Sequence, residues 1–305
     1  MDTNKSIITE LHTDNWTQRG IRVLVKRDDL IHDEVSGNKW RKLKLNIALC
    51  QQLKKDAILT FGGAYSNHLL ATAAACNLMG LGSIGLVRGD ELNENSNETL
   101  SRCAKLGMKL DFLSREEYGM RNDKAYHETI NASYRGVYIV PEGGANYYGI
   151  VGCQQILGEI KENVDHVFIS QGTTTTSCGV LMSINEDQQL HVVPALKGFD
   201  SISEMRALLG KSGFESDMIN DVLTQVEVHS ESHFGGYGKH PIELVNFIEK
   251  FYRDHQLKLD PIYTGKAMHC MLEELNDSKY NEKTIVFIHS GGIQGGKGIV
   301  NFEAN

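Results

Sequence analysis

Short apolar runs alternate with stretches of helical spacing through most of the chain, and this alternation restricts the fold more than any other feature. AILTF (57–61), SIGLV (83–87), KLDFL (109–113) and VYIV (137–140) have the length and content of buried strands. Between them, NHLLATAAACNLMG and NETLSRCAKLG keep helical spacing and end in glycine, as helix C-termini do. A second series follows: HVFIS (166–170), HVVPAL (191–196), QVEVH (225–229) and TIVFIH (284–289), interleaved with helical stretches such as GIVGCQQILGEIKEN and HPIELVNFIEKFYRDH. A strand with no alternation is buried on both faces, so the pattern predicts an α/β fold of two open, mainly parallel sheets with helices on both faces. The two series divide the chain into a small α/β domain over 44–147 and a larger domain formed by 1–43 plus 148–305.

The rest of the composition excludes several function classes. The 305 residues carry a formal net charge of −8 with no long basic run, which argues against nucleic acid as a partner. The longest apolar runs fall short of a membrane span, and MDTNKSIITELHTDNW lacks the basic-then-apolar order of a signal peptide. Six cysteines scattered without CxxC spacing read as reduced thiols of a cytoplasmic protein. Twelve histidines include no HExxH pair, and no metal site is expected from spacing.

In open parallel sheets, ligands bind at the carboxyl ends of strands, and here those ends carry unusual loops. ISQGTTTTSCGV (169–180) joins a strand to a helix through small residues and threonines, which lets backbone amides converge on an anion such as a phosphate. A plain threonine-rich turn with a helix cap is the other reading. FGGAYSNHLLATAAA (61–75) places Ser66 and Asn67 at a helix start, either as caps or facing a ligand. IHSGGIQGG (288–296) would turn Ser290 toward the same crevice, and DPIYTGKAM (260–268) sets Tyr263 and Thr264 before a further helix, where a core tyrosine is the alternative. SGNKWRKLK (36–44) holds Lys39 between a Gly-Asn pair and a helix start, as a surface lysine or as one kept for chemistry. One phosphate cup, one loop lysine and several polar strand ends together suit pyridoxal 5'-phosphate, which needs an amide cup, a lysine and polar partners for its ring.

The segments VKRDDLIHDEVSGNKWRKLKLN, FGGAYSNHLLATAAA, DPIYTGKAM and FIHSGGIQGG, in this order from about residue 20 to residue 296, resemble the aminocyclopropane-carboxylate deaminase and D-cysteine desulfhydrase family. These are pyridoxal-phosphate enzymes with the tryptophan-synthase-β fold. The resemblance implies that Lys39 is the Schiff-base lysine, that Lys42 contacts the phosphate and that Asn67 bonds the phenolic oxygen. It implies that Gly172, Thr173, Thr174, Thr175 and Thr176 form the phosphate cup, that Ser66 is the active-site serine and that Tyr237 and Tyr263 are active-site tyrosines. Thr264 stands where ring-opening deaminases of the family carry glutamate against the pyridine nitrogen, and Ser290 stands where they carry leucine. Both positions are similar to the desulfhydrase pattern. The implied activity is β-elimination from a small amino acid, best D-cysteine, in a homodimer. The alternatives are 1-aminocyclopropane-1-carboxylate deamination, β-replacement, and a cofactor-binding protein with little turnover.

Overall fold

The structure, a computed structural model, describes residues 3–35 and 37–302. Among these, the strands in chain order are β1 (Ile8–Leu11), β2 (Arg22–Lys26), β3 (Ala57–Gly62), β4 (Gly82–Arg88), β5 (Met108–Leu113), β6 (Val137–Val140), β7 (His166–Gln171), β8 (Gln189–Pro194), β9 (Val226–Val228) and β10 (Thr284–Ile288). They form a six-stranded sheet, β1-β2-β10-β7-β8-β9, and a four-stranded sheet, β5-β4-β3-β6. Every pairing is parallel except β1 with β2. The chain divides into two compact units: Met1–Asn38 with Gln154–Asn305, and Lys39–Cys153. The divide thus falls at 38/39 and 153/154, against the expected 43/44 and 147/148.

In the smaller unit, adjacent residues of β4 serve opposite faces. Leu86 joins Leu59, Phe61, Tyr118 and Ile130 in one core cluster, while Val87 joins Leu69, Ala73, Leu100 and Cys103 in another. Successive strand residues point to opposite sides, so the sheet is covered on both. The Asn67–Leu78 helix supplies the second cluster, and its run of buried Ala71, Ala73, Ala74 and Ala75 lets it lie close to the sheet. In the larger unit, β7 and β10 are buried after their first residue, as strands inside a covered parallel sheet are. Its core joins Val23, Val25, Phe168 and Phe287 of the sheet to Ile248, Phe251, Met268 and Met271 of two helices.

The N-terminal strands β1 and β2 were not among the expected strands. RVLVK is short and bracketed by charges; its place follows from pairing with β10, whose residues 284–288 run alongside residues 22–26. The β9 strand covers Val226–Val228, shorter than the expected 225–229, although the Gln225 carbonyl and the His229 N–H still bond Leu190 and Val192 of β8.

Candidate active site

In the larger unit, β7 ends at Gln171 and the Thr175–Leu181 helix begins four residues later. Thr174, at the N-cap position of this helix, makes no side-chain bond to the first turn. The first amides of any helix lack intrahelical partners and carry the positive end of its dipole. The Thr175 Oγ1 atom here is buried and has no hydrogen-bond partner, as is the Gln171 Oε1 atom. A buried hydroxyl without a partner costs about 1–3 kcal/mol, so this junction keeps one unused donor, the Thr175 hydroxyl, beside one unused acceptor, the Gln171 carboxamide oxygen. Gly172 is required by packing: a Cβ there would lie 2.8 Å from Cε1 of Tyr263.

Tyr263 is placed by Asp260. This fully buried carboxylate accepts from the amides of Ile262, Tyr263 and Thr264 at 2.9, 2.7 and 2.9 Å, and from the Thr264 hydroxyl at 2.6 Å. The Asp260 amide donates back to Thr264 Oγ1 at 2.8 Å. The hydroxyl has one proton, now given to Asp260, so toward anything else Thr264 Oγ1 can only accept. The Tyr237 ring meets Tyr263 edge-on with centroids 6.1 Å apart, on a loop tied down by Lys266, which donates to the carbonyls of His233 and Gly236 at 2.8 Å each. Burial pushes the Lys266 ammonium down to about 8.

Asn38 and Ser290 adjoin the same junction. The Asn38 side-chain amide donates to Thr176 Oγ1 at 2.8 Å, and its backbone N–H donates to the Ser290 carbonyl at 3.1 Å. Gly37 has φ +59, and a Cβ there would run into the Ser290 carbonyl, so only glycine fits before Asn38. Ser36, the first residue of the motif, lies outside the described residues. The buried Ser290 and Ser170 hydroxyls are 3.4 Å apart.

In the smaller unit, Lys39 and Lys42 lie three residues apart in the Asn38–Gln52 helix, hence on one face. Lys39 is half-buried and Lys42 is buried. A Cβ on Gly144, whose φ is +71, would come within 3.0 Å of Lys42 Cβ and 3.7 Å of His68 Cε1. His68 follows Asn67 at the start of the Asn67–Leu78 helix, whose N-cap is Ser66, with Oγ accepting from the Leu69 amide at 3.3 Å. The Thr60 hydroxyl donates to the Val140 carbonyl at 2.8 Å, so the His68 Nε2, 2.9 Å away, must be its donor. That leaves the buried Nδ1 a bare acceptor without a partner. Burial, then the charges of Lys39 and Lys42, pull His68 down to about 3 and keep it neutral.

The larger unit therefore gathers Gly172, Thr174, Thr175, Thr176, Tyr263, Tyr237, Thr264 and Ser290 around the ends of β7 and β10. The smaller unit gathers Lys42 with His68 and sets Ser66 and Asn67 at one helix start. The sequence reading missed Asn38, Asp260 and Lys266. Asp260 had a signal, an Asp-Pro before a helix start; Lys266 had none, since its partners are carbonyls of a distant loop.

A doubly covered α/β framework with a threonine-lined strand–helix junction is the kind of scaffold that suits an enzyme holding a phosphorylated cofactor. The pyridoxal-phosphate dependent enzyme model matches residues 8–291, and the chain belongs to that family. Its cofactor is pyridoxal 5'-phosphate, and its architecture is that of fold type II. A Thermotoga maritima protein, named provisionally as a 1-aminocyclopropane-1-carboxylate deaminase, is 32% identical over 90% of each chain. The D-cysteine desulfhydrase of Yersinia pestis is 28% identical over 90% of this chain and 87% of its own. The crystal structure of an ACC deaminase homologue superposes with a TM-score of 0.77 at 25% identity, covering 96% of this chain and 90% of that one. The residues present fit the cofactor, because its phosphate is an anion of the kind the uncapped helix and the unpartnered Thr175 hydroxyl require.

Proposed function

We propose that the protein eliminates a leaving group from the β-carbon of a small D-amino acid, with D-cysteine preferred. The net reaction takes cysteine and water to pyruvate, ammonia and hydrogen sulfide. The reading is carried by Thr264, a buried neutral hydroxyl bonded to Asp260 where ring-opening members of the family have glutamate. Cleaving a ring C–C bond, with a poor leaving group, demands more electron withdrawal than expelling thiolate. The desulfhydrase name of the Yersinia relative supports the same reading.

When bound, the cofactor supplies the electron sink for the pair left at the α-carbon. Lys39 is assigned its covalent attachment and, once free, the α-proton, which a neutral amine can accept. The Gly172–Thr176 segment and Lys42 are assigned the phosphate, Asn67 the phenolic oxygen, and Thr264 and Ser290 the ring's polar edge. Ser66 is assigned the substrate carboxylate. The C–S bond breaks with its electron pair on sulfur, and Tyr263 or Tyr237 delivers the proton that releases hydrogen sulfide. The free aminoacrylate then hydrolyses in water. Ring opening of 1-aminocyclopropane-1-carboxylate is the second reading, supported by the name of the Thermotoga relative.

The test is 2-oxo acid formation by the loaded enzyme on a panel of D- and L-amino acids and the cyclopropane substrate. D-Cysteine is expected to exceed the cyclopropane in kcat/KM by at least about tenfold, a difference of roughly 1.4 kcal/mol in barrier. The paired substitution Thr264→Glu and Ser290→Leu should move that ratio toward ring opening. Comparable rates on both substrates in the unaltered enzyme would overturn the reading. Lys39→Ala should abolish turnover while the protein stays folded, and borohydride should fix the cofactor on Lys39 alone.

A further inference from the structure

Away from the cup, the six-stranded sheet carries a row of three imidazoles that the proposed reaction does not use. His166 opens β7, His191 lies within β8, and His229 follows β9. His191 is fully buried and stacks on Phe168 with centroids 4.1 Å apart, which fixes its ring plane. Its Nδ1 faces His229 Nε2 at 3.0 Å and Glu227 Oε2 at 3.6 Å, and His229 Nε2 lies 4.0 Å from Glu227 Oε1. Two ligands each about 2.0–2.1 Å from one ion can be at most about 4.2 Å apart, and tetrahedral geometry puts them about 3.3 Å apart. The Glu227 contacts run to its two oxygens, Oε2 toward His191 and Oε1 toward His229, so at nearest approach the three side chains stand 3.0, 3.6 and 4.0 Å apart, and one donor atom from each lies within 4.8 Å of the others, a set that a small turn of the carboxylate brings onto one ion.

We propose that His191, His229 and Glu227 form a site for a divalent transition-metal ion of the zinc class, fastening the edge strand β9 to β8. Two imidazoles and one carboxylate are a donor set such ions accept, with a fourth position left for water on the side of the partly exposed Glu227. The outer partners suit it as well. Ligation through Nδ1 leaves His191 with its proton on Nε2, which lies 3.0 Å from His166 Nδ1 and can donate to it. Ligation through Nε2 leaves the His229 proton on Nδ1, 3.6 Å from Glu274 Oε1, the carboxylate–histidine arrangement that orients metal ligands. Lys279 is now 3.5 Å from Glu227 and 3.4 Å from Glu274, but it is 43% exposed and can turn to solvent when an ion arrives. The ligands sit on neighbouring strands, with His191 directly opposite Glu227, so no spacing motif announces them.

The test uses untagged, cofactor-loaded protein stripped with chelator and titrated with zinc chloride, followed by calorimetry and thermal melting. One equivalent is expected to bind and raise the melting temperature, and cobalt(II) in its place should give the visible bands of a tetrahedral site. Glu227→Gln and His229→Gln should each weaken zinc binding by at least about 100-fold, the upper end of what loss of a merely supporting partner costs, with cofactor content and turnover unchanged. No saturable binding, or binding kept in both variants, would overturn the proposal. Should His229→Gln fail to fold, Glu227→Gln decides alone, because its side chain is 34% exposed and its loss leaves no cavity.

Discussion

The two units each turn a buried strand into a helix through a glycine, and they finish the junction in opposite ways. After β3, Ser66 caps the Asn67–Leu78 helix, and Gly62 is there because a Cβ would lie 2.6 Å from the Ser66 hydroxyl. After β7, the Thr175–Leu181 helix has no side-chain cap, and the Thr175 hydroxyl is buried without a partner. A capped helix start has spent its donors on its own chain. An uncapped one leaves more of its amides open to a ligand, which supports the proposal that the phosphate is held after β7.

The contrast can be pressed first with acid. The capped junction contains the neutral His68, whose folded value is about 3 against an ordinary 6.5. A depressed value means the unfolded chain takes up the proton first, so the stability is full above pH 6.5 and is lost as pH falls toward 3. By pH 4 the loss should reach about 3 kcal/mol from this group. Hydrogen exchange in the Asn67–Leu78 helix should accelerate over that range, and His68→Gln should flatten the dependence. Equal pH sensitivity in the variant would remove His68 from the account.

Next comes the uncapped junction. Thr174→Pro deletes one amide at a residue whose φ of −74 proline tolerates. Cofactor affinity should fall on the order of 100-fold, about 2.7 kcal/mol, with circular dichroism unchanged; retained affinity would place the phosphate elsewhere. Thr175→Val removes the unpartnered hydroxyl while keeping its shape. It should weaken cofactor binding about tenfold and leave the cofactor-free protein at least as stable, since a buried unsatisfied group is lost. The smallest effect on cofactor binding belongs to Ser66→Ala. Losing the cap should cost about 1 kcal/mol in urea unfolding and leave cofactor affinity intact. Turnover should fall on the order of 100-fold in the same variant, because Ser66 is assigned the substrate carboxylate; normal turnover would leave Ser66 a cap alone.

Strand ends and their loops were legible because burial on both faces writes itself as unbroken apolar runs, and because glycine and threonine have few other reasons to cluster after one. The expected cup segment does bridge β7 and a helix, and Ser66 does occupy an N-cap. What stayed hidden depends on partners distant in sequence. RVLVK becomes a strand only beside β10. Asp260 matters through the amides it collects, Lys266 through the carbonyls of a loop thirty residues earlier, and Asn38 through Thr176 and Ser290. The composition of a segment carries its own burial, but it cannot carry the identity of a neighbour brought up by topology.

The pairing of β2 with β10 also sets a timetable for the newborn chain. Residues 22–26 leave the ribosome long before residues 284–288, and at 5–20 residues per second the wait is on the order of tens of seconds. The smaller unit draws all four of its strands from residues 57–140 and can close during that interval. The β1–β2 pair meanwhile has an extra unmatched edge on β2, besides the outer edge of β1, a hazard for sticking to other chains. Its charged Glu10, Arg22 and Lys26 serve as its guard until the last strand arrives. Because Asn38 donates to the Ser290 carbonyl, the backbone just before Lys39 gains that anchor only after residue 290 has been made.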